Sequence, residues 1–204
     1  MGLSQKPKNM EKTYIHTLSD DEIIKNIRWG DSAAFEIIYD RYKNMLYNYI
    51  WTLLNFNSDE AGLVLSDVFI KAYKYMQRKN VDNLKSFLYR IAHNTAIDWI
   101  RINQNKDTKI PKNTEEQKDQ NDDIEKWKID TQYKKKLIGK YLSELDDKYR
   151  SVLYLLYYEN KSYEEIAMIQ QSNKNTIWTL VLQGKKKLKE LILNAGIDPD
   201  IFLA

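Results

Sequence analysis

The chain has 204 residues, of which 43% are hydrophobic and 30% charged, so it can form one or two modest globular cores. It contains no cysteine, which excludes disulfides, thiolate metal sites and a cysteine nucleophile. With only 6 glycines and 3 prolines the chain has few helix breakers, and this favours an all-α fold. The net charge of +3 is too small to identify a partner, so the distribution of the charges matters more.

Neither a targeting segment nor a membrane span is expected. Met1–Met10 carries lysines without an apolar run behind them, and the longest apolar stretches, such as Ser151–Tyr158, are too short to cross a bilayer. We therefore expect a cytoplasmic protein whose residues 1–17 are disordered.

The first half of the chain predicts four helices. Ser19 and Glu22 have the spacing of a capping box at the start of the first helix, and Gly30 ends it. Apolar residues then recur every three or four positions in three further segments, at residues 31–55, 58–78 and 82–103.

The fourth of these helices combines a core stripe with a basic face. The predicted stripe steps by three or four residues through Leu84, Leu88, Ile91, Thr95, Trp99 and Ile102. At about 100° per residue, Arg90, Asn94 and Arg101 lie on the opposite side.

Residues 105–130 have the composition of a flexible acidic linker. They contain almost no apolar residue before Ile124, and from residue 110 to residue 130 four lysines stand against seven acidic residues. Helices resume near Tyr133. A short helix at 163–170, a turn at 171–173 and a long helix at 174–194 then predict a helix-turn-helix.

Positive charge is concentrated on either side of the linker. Residues 71–109 hold nine basic and three acidic residues interleaved with aromatics, and four lysines cluster between residues 185 and 189. Basic residues bind phosphates and aromatics stack on unpaired bases, so the pattern fits nucleic-acid binding at two places. The same lysines also fit solvated helix faces, and charge alone leaves both interpretations open.

Residues 83–101, with the sequence NLKSFLYRIAHNTAIDWIR, resemble the promoter-recognising helix of the sigma-70 family of RNA polymerase sigma factors, in its extracytoplasmic-function (ECF) group. Residues 30–47 resemble the first conserved helix of that family. In the second half, the segments SYEEIA at 162–167 and KKKL at 185–188 resemble its C-terminal domain. The resemblance covers roughly residues 18–102 and 133–192, in the family's order.

The resemblance implies two small helical domains. A domain like sigma region 2 would occupy residues 18–104, binding core RNA polymerase and the −10 promoter element as single strand. The linker would span residues 105–130, and a domain like sigma region 4 would occupy residues 131–195 and bind the −35 element, followed by a tail at 196–204. Promoter DNA and core polymerase would be the partners, and anti-sigma factors are common in this group. The factor itself would need no cofactor, metal or small-molecule substrate, and would not be an enzyme.

The resemblance also implies three sets of site residues. The −10 element would be bound by Lys74, Arg78, Asn80, Lys85, Arg90, Asn94 and Arg101, with the loop Tyr75–Asn80 forming a pocket for a flipped base. The −35 element would be bound by Ser162, Lys174, Asn175, Thr176, Trp178, Thr179, Lys185 and Lys186. Core polymerase would be contacted by Leu63, Ser66, Asp67 and Lys71.

Several positions depart from the family pattern. Leu63 and Ser66 stand where the family usually has an acidic residue and a glutamine, and Gln171 replaces a common turn glycine. Trp178 and Leu180 replace a usual lysine and arginine. The changes at Leu63 and Ser66, together with the unusual recognition helix, leave open an alternative function, that of a diverged sigma-like regulator that does not act through core polymerase.

The outward face of the last helix allows three interpretations. Trp178 and Leu182 could contact thymine methyl groups, form a protein interface, or be covered by the tail residues Ile197, Ile201, Phe202 and Leu203. The sequence alone does not choose among them.

Overall fold

The computed structural model describes residues 18–104 and 140–197. These ranges contain no strand, and residues 140–142 are helical ahead of the last three of seven complete helices. The helices are α1 Asp20–Arg28, α2 Ala33–Leu53, α3 Ser58–Met76, α4 Leu84–Gln104, α5 Asp147–Tyr157, α6 Tyr163–Ile169 and α7 Lys174–Asn194. The all-α prediction is confirmed for this part of the chain. The predicted disordered segment 1–17, linker 105–130 and most of the tail, 198–204, lie outside the described residues.

Side chains cap the starts of α1 to α4, and those at α1 and α2 are the ones that the sequence predicts. The Ser19 hydroxyl accepts the backbone N–H of Glu22 at 3.3 Å, and the Glu22 carboxylate accepts the N–H of Ser19 at 2.8 Å, which completes the capping box of α1. Asp31 accepts two backbone N–H groups at the start of α2. The Asn57 and Asn83 side chains each accept one backbone N–H, at the starts of α3 and α4.

Helices α1 to α4 form one core. Asp20 accepts hydrogen bonds from Arg41 and Tyr42, which attaches α1 to α2. Phe35 on α2 meets Phe69 on α3 edge-on, with ring centroids 6.0 Å apart. The α2 helix packs against both α3 and α4, so it lies at the centre of the N-terminal half.

The core stripe of α4 is confirmed except at its end. Leu84, Leu88 and Thr95 are buried, whereas Ile102 is 61% exposed, so its assignment to the core is wrong. Trp99 already pairs with Glu60, which lies in the first turn of α3. The turn of α4 beyond Trp99 therefore runs past the start of its neighbour.

Helices α5 to α7 form the core of the C-terminal half. A glycine on α7 lets it approach α5 closely, because a Cβ at Gly184 would lie 3.2 Å from Leu153 Cδ1. The buried side chains of α7 are Ile177, Val181, Leu188 and Ile192. The helical spacing of the sequence predicts a core face of Ile177, Leu180, Gly184, Leu188 and Leu191. Three of these residues are buried, but Leu180 and Leu191 are only partly buried, and Val181 and Ile192 take their places in the core.

The two halves are in contact, α2 with α5 and α4 with α6. None of the helices in the described ranges is long and apolar enough to span a membrane.

Candidate nucleic-acid and polymerase interfaces

A cleft of about 290 Å³ opens beside the loop between α3 and α4. Tyr75 and Phe87 line it with their rings 4.7 Å apart, and the Arg90 guanidinium lies 5.7 Å from the centre of the Phe87 ring. Asn80 also lines the cleft. A cavity with aromatic rings, an amide and a cation fits an unpaired base, which can stack on the rings and form hydrogen bonds. The sequence prediction placed a pocket at residues 75–80, and it missed Phe87.

Of the predicted −10 residues, Asn80 and Arg90 line this cleft, and the others lie near the end of α3, in the loop after it or elsewhere on α4. Lys74, Arg78 and Asn80 are exposed at the end of α3 and in the loop. Arg90 and Asn94 lie on one face of α4, partly buried. Arg101 lies on the same face, about 16 Å from Arg90 along the helix axis, because an α-helix rises about 1.5 Å per residue.

Two of the predicted −10 cations already have acidic neighbours. Arg101 lies 3.2 Å from Asp98, and both side chains are largely exposed. Lys85 is directed to the other half of the chain, where its Nζ lies 3.5 Å from the Glu159 carboxylate. Lys85 would therefore have to leave that carboxylate before it could bind phosphate.

The outer face of α3 carries the four residues predicted to contact polymerase. Leu63, Ser66, Asp67 and Lys71 are all exposed, and Lys71 binds Asp67 at 2.7 Å. Ile70 is 53% exposed on the same face, and Leu63 is 60% exposed. The sequence analysis missed Ile70, although its position seven residues after Leu63 marks the same helical face. The patch is thus apolar with charged residues beside it.

The predicted helix-turn-helix is present, with α6 as its first helix and α7 as its second. Ser162 and Glu165 form a capping box at the start of α6. The Lys161 ammonium and the Ser162 N–H hold the pKa of Glu165 below its ordinary value. Gln171 occupies the turn with a φ of 51°, the left-handed conformation that the family's glycine would adopt without strain. Because its hydroxyl takes part in this capping box, the Ser162 side chain, which was predicted to bind DNA, caps its own helix.

At the start of α7 the predicted −35 residues already form contacts within the half. Lys174 forms an ion pair with Glu164 on α6. The Thr176 hydroxyl donates to the Asn173 side chain at 3.0 Å, and the Thr179 hydroxyl donates to the backbone oxygen of Asn175 at 2.9 Å. These hydroxyl oxygens keep free lone pairs, so they can still accept hydrogen bonds from DNA.

The rest of the outward face of α7 combines cations with large apolar side chains. Lys185 lies 5.5 Å from the centre of the Tyr157 ring, and Lys186 is exposed. Trp178 and Leu182 are 55% and 54% exposed within the described part of the chain. Of the tail residues that could cover them, Ile197 packs against the core and the other three lie outside the described residues.

Aromatic residues line the junction between the two halves. The Tyr49 ring lies 5.4 Å from that of Tyr89 in its own half and 5.5 Å from that of Tyr154 in the other. The Tyr49 hydroxyl lies 2.9 Å from His93 Nδ1. Burial lowers the pKa of His93 to about 4, so the ring is neutral at pH 7. His93 is thus a partly buried residue held by Tyr49, and the described residues contain no cluster of His, Asp and Glu that could hold a metal ion.

Two family models match the chain. The model described as "Sigma-70 region 2" matches residues 38–106, and the model described as "Sigma-70, region 4" matches residues 135–188. Together these ranges cover more than half of the 204 residues. The chain therefore belongs to the sigma-70 family of RNA polymerase sigma factors, in its ECF group.

Individual relatives agree with this. The ECF RNA polymerase sigma factor SigW of Bacillus subtilis is 37% identical over 79 residues, which are 38% of this chain and 42% of SigW. The RNA polymerase sigma factor YlaC of the same organism is 27% identical over 159 residues, which are 77% of this chain and 91% of YlaC. The chain thus spans about two fifths of the length of SigW and most of the length of YlaC.

A solved structure shows the same fold. The sigma factor RpoE of Bartonella quintana, in complex with the anti-sigma factor NepR, superposes with a TM-score of 0.61. The match covers 78% of this chain and 96% of RpoE at 21% sequence identity.

Proposed function

We propose that this chain is a sigma factor, which binds core RNA polymerase and directs it to promoters by reading the −10 and −35 elements. It makes and breaks no bond itself, because the polymerase performs the chemistry, and it acts in the cytoplasm with the polymerase. One observation carries the proposal: a single chain holds an aromatic cleft beside a basic helix, followed by a separate helix-turn-helix.

The N-terminal half would read the −10 element as melted single strand. A base turned out of the strand would enter the cleft, stack on Tyr75 and Phe87, and meet the Arg90 guanidinium. Lys74 and Arg78, exposed at the end of α3 and in the loop that follows it, would bind the phosphates, with Arg101 further along α4. Base stacking is worth about 1–3 kcal/mol per base, so the aromatic pair would supply much of the affinity.

The C-terminal half would place α7 in the major groove of the −35 duplex. Asn175 and Thr179 face outward near the start of this helix, where recognition helices contact base edges. Lys174, Lys185 and Lys186 would bind phosphates on either side. Trp178 would lie between these groups, against the groove.

Core polymerase would bind the outer face of α3. Leu63 and Ile70 give this face apolar area that solvent does not favour, and Asp67 and Lys71 give it a charged edge. Because Leu63 and Ser66 replace the family's acidic residue and glutamine, we expect this interface to depend more on apolar contact than on charge pairing.

The test is reconstitution of the full chain with bacterial core polymerase. Co-elution in gel filtration and promoter-dependent transcription are expected. The Arg90→Ala variant should co-elute but open promoters poorly, whereas Lys25→Ala, which removes an exposed cation from α1, should behave as the parent does. If the chain never co-elutes with core polymerase, the proposal fails.

A second candidate is the diverged regulator that binds DNA without polymerase. The residues Leu63 and Ser66 on the polymerase-facing patch, and Trp178 on the recognition helix, favour it. Its signature would be promoter-duplex binding by the full chain, with no core polymerase in the complex and no transcription.

A further inference from the structure

The C-terminal half has no arginine that could read a base. Between residues 102 and 204, Arg150 is the only arginine. Its side chain is 4% exposed, and its guanidinium donates to the backbone oxygens of Leu142, Ser143, Leu145, Thr52 and Leu53. Paired contacts from an arginine or a lysine to O6 and N7 are the commonest way in which a protein recognises guanine. In this half, only a lysine could make them.

The lysines of α7 are placed for phosphates instead. Lys174, at the start of the helix, forms an ion pair with Glu164 on α6. The other lysines of α7 lie between residues 185 and 189, which is about 16 Å or more further along the helix axis. Recognition helices contact base edges with the residues near their N-terminus. Guanine under the first two turns of α7 would therefore meet no unpaired cation.

The threonine hydroxyls at the start of α7 have no proton left for guanine. The Thr176 hydroxyl donates to the Asn173 side chain at 3.0 Å, and the Thr179 hydroxyl donates to the backbone oxygen of Asn175 at 2.9 Å. Each hydroxyl can still accept a hydrogen bond. In the major groove adenine N6 and cytosine N4 donate, whereas the guanine edge presents two acceptors. These hydroxyls therefore suit adenine or cytosine and not guanine.

The remaining outward side chains in this part of α7 are an amide and two large apolar groups. Asn175 is exposed, and Trp178 and Leu182 are 55% and 54% exposed. The three residues follow one another by three and four positions, so they share one helical face. From Asn175 to Leu182 this face is about 10 Å long, which is close to three base steps of about 3.4 Å.

This set of groups matches A·T pairs. An asparagine amide can donate to N7 of adenine and accept from its N6 at the same time, and the thymine of the pair presents a methyl group to apolar side chains. The Trp178 indole adds one N–H donor, which purine N7 or thymine O4 can accept. That single donor does not discriminate between bases, so the Asn175 amide and the methyl contacts would supply the selectivity.

We propose that α7 reads a block of about three A·T pairs, with Asn175 on adenine and Trp178 and Leu182 on thymine methyl groups, and requires no guanine in that block. The assignment rests on the proposed function, in which α7 enters the major groove of the −35 element. The replacement of the family's lysine and arginine by Trp178 and Leu180 then changes which base pairs the helix reads and does not abolish reading.

Selection from a duplex library tests the base preference. Duplexes with a random window of about 10 base pairs, one helical turn, are bound to the full chain, free and in complex with core polymerase, and the bound duplexes are sequenced. Adjacent A·T pairs should be enriched. The Asn175→Arg variant should change the preference at one position of the block from adenine to guanine, about tenfold or more. The matched control is Asn194→Arg, which adds the same cation at the exposed end of the same helix and should leave the preference unchanged.

Base analogues then test the individual contacts by fluorescence anisotropy. Uracil in place of thymine in the selected block removes the methyl group, and it should lower the affinity of the parent about threefold per methyl. The double variant Trp178→Ala, Leu182→Ala should not distinguish the two duplexes. The analogue 7-deazaadenine removes the N7 acceptor, and it should weaken binding by the parent but not by Asn175→Ala. Circular dichroism confirms that each variant is folded.

Guanine enrichment at the position that responds to Asn175→Arg, no enriched block in either form of the protein, or equal affinities of the parent for thymine and uracil duplexes would each overturn the proposal. An A·T block that changes with Asn175→Arg and weakens without the methyl groups would support it. If reconstitution with core polymerase fails, the free chain still reports the base preference. Guanine enrichment by an active reconstituted polymerase would instead remove this proposal and leave the proposed function standing.

Discussion

The indole N–H of Trp99 on α4 donates to the carboxylate of Glu60 on α3 at 2.9 Å. The bond is partly buried and joins two helices whose residues are 39 positions apart in the chain. Because α4 carries Arg90 and α3 carries the patch that we propose binds polymerase, this contact helps to fix the orientation of one candidate interface relative to the other.

Replacing Glu60 with leucine should lower the free energy of unfolding by about 1–2 kcal/mol, because the indole N–H would lose its acceptor in a partly buried site. Glu60→Gln keeps an acceptor oxygen and should cost less than half of that. Urea unfolding of the full chain, followed by circular dichroism, measures both. If the two variants lose the same stability, the hydrogen bond is not what joins the helices.

Two glycines should respond in opposite ways to alanine. At Gly184 the new Cβ would lie 3.2 Å from Leu153 and 3.3 Å from Tyr149 Cβ, so Gly184→Ala should destabilise the C-terminal half by about 1–3 kcal/mol. At Gly62, inside α3, nothing lies within 4 Å, and Gly62→Ala should stabilise by roughly 0.5–1 kcal/mol through helix propensity. Thermal unfolding of the two variants, compared with the parent, checks both signs. A stabilised Gly184→Ala variant would mean that α5 and α7 pack less closely than described.

His93 should make the fold sensitive to mild acid. Burial lowers the pKa of its imidazole from 6.5 to about 4. Between pH 6.5 and pH 4 the His93 imidazole is protonated in the unfolded chain but neutral in the folded chain, so a lower pH favours unfolding. The contribution of the neutral imidazole to the free energy of unfolding is fully present above pH 6.5. It is lost as the pH falls towards 4, and the total loss is about 3 kcal/mol.

The control is His93→Asn, which keeps a polar group beside Tyr49 but does not titrate. The free energy of unfolding of the parent should fall more steeply between pH 6.5 and 4 than that of the variant. Carboxylates contribute equally to both chains, so parallel profiles would show that His93 is protonated without cost in the folded state.

Much of the local structure could be predicted from the sequence, because interactions between residues close together in the chain determine it. The pairs Ser19–Glu22 and Ser162–Glu165 form the capping boxes that their spacing predicts. Gln171 adopts the left-handed turn conformation expected of the glycine that it replaces. The family resemblance of residues 83–101 supplies the function, which periodicity alone does not.

The contacts between segments that are far apart in the chain could not be predicted in this way. Ile102 fits the helical period of the core, yet it is exposed because α3 begins too late to cover it. Arg150 has no local sign of its role, since the carbonyls that it binds across the junction lie almost 100 residues earlier. Such contacts depend on how whole helices pack, and a single sequence does not encode that in a short pattern.

The exposed Trp178 provides a test of what α7 touches. Because the side chain is 55% exposed, Trp178→Ala should change the free energy of unfolding by less than about 0.5 kcal/mol. If α7 enters the major groove, the same variant should lower the affinity of the full chain for promoter duplex about fivefold or more, through lost apolar contact with bases.

Leu193→Ala is the matched control, because Leu193 is 51% exposed at the other end of the same helix. Fluorescence anisotropy with labelled duplex measures the affinities. A loss of stability in Trp178→Ala would instead identify the tail as its cover, and unchanged stability with unchanged affinity would identify the surface as a protein interface.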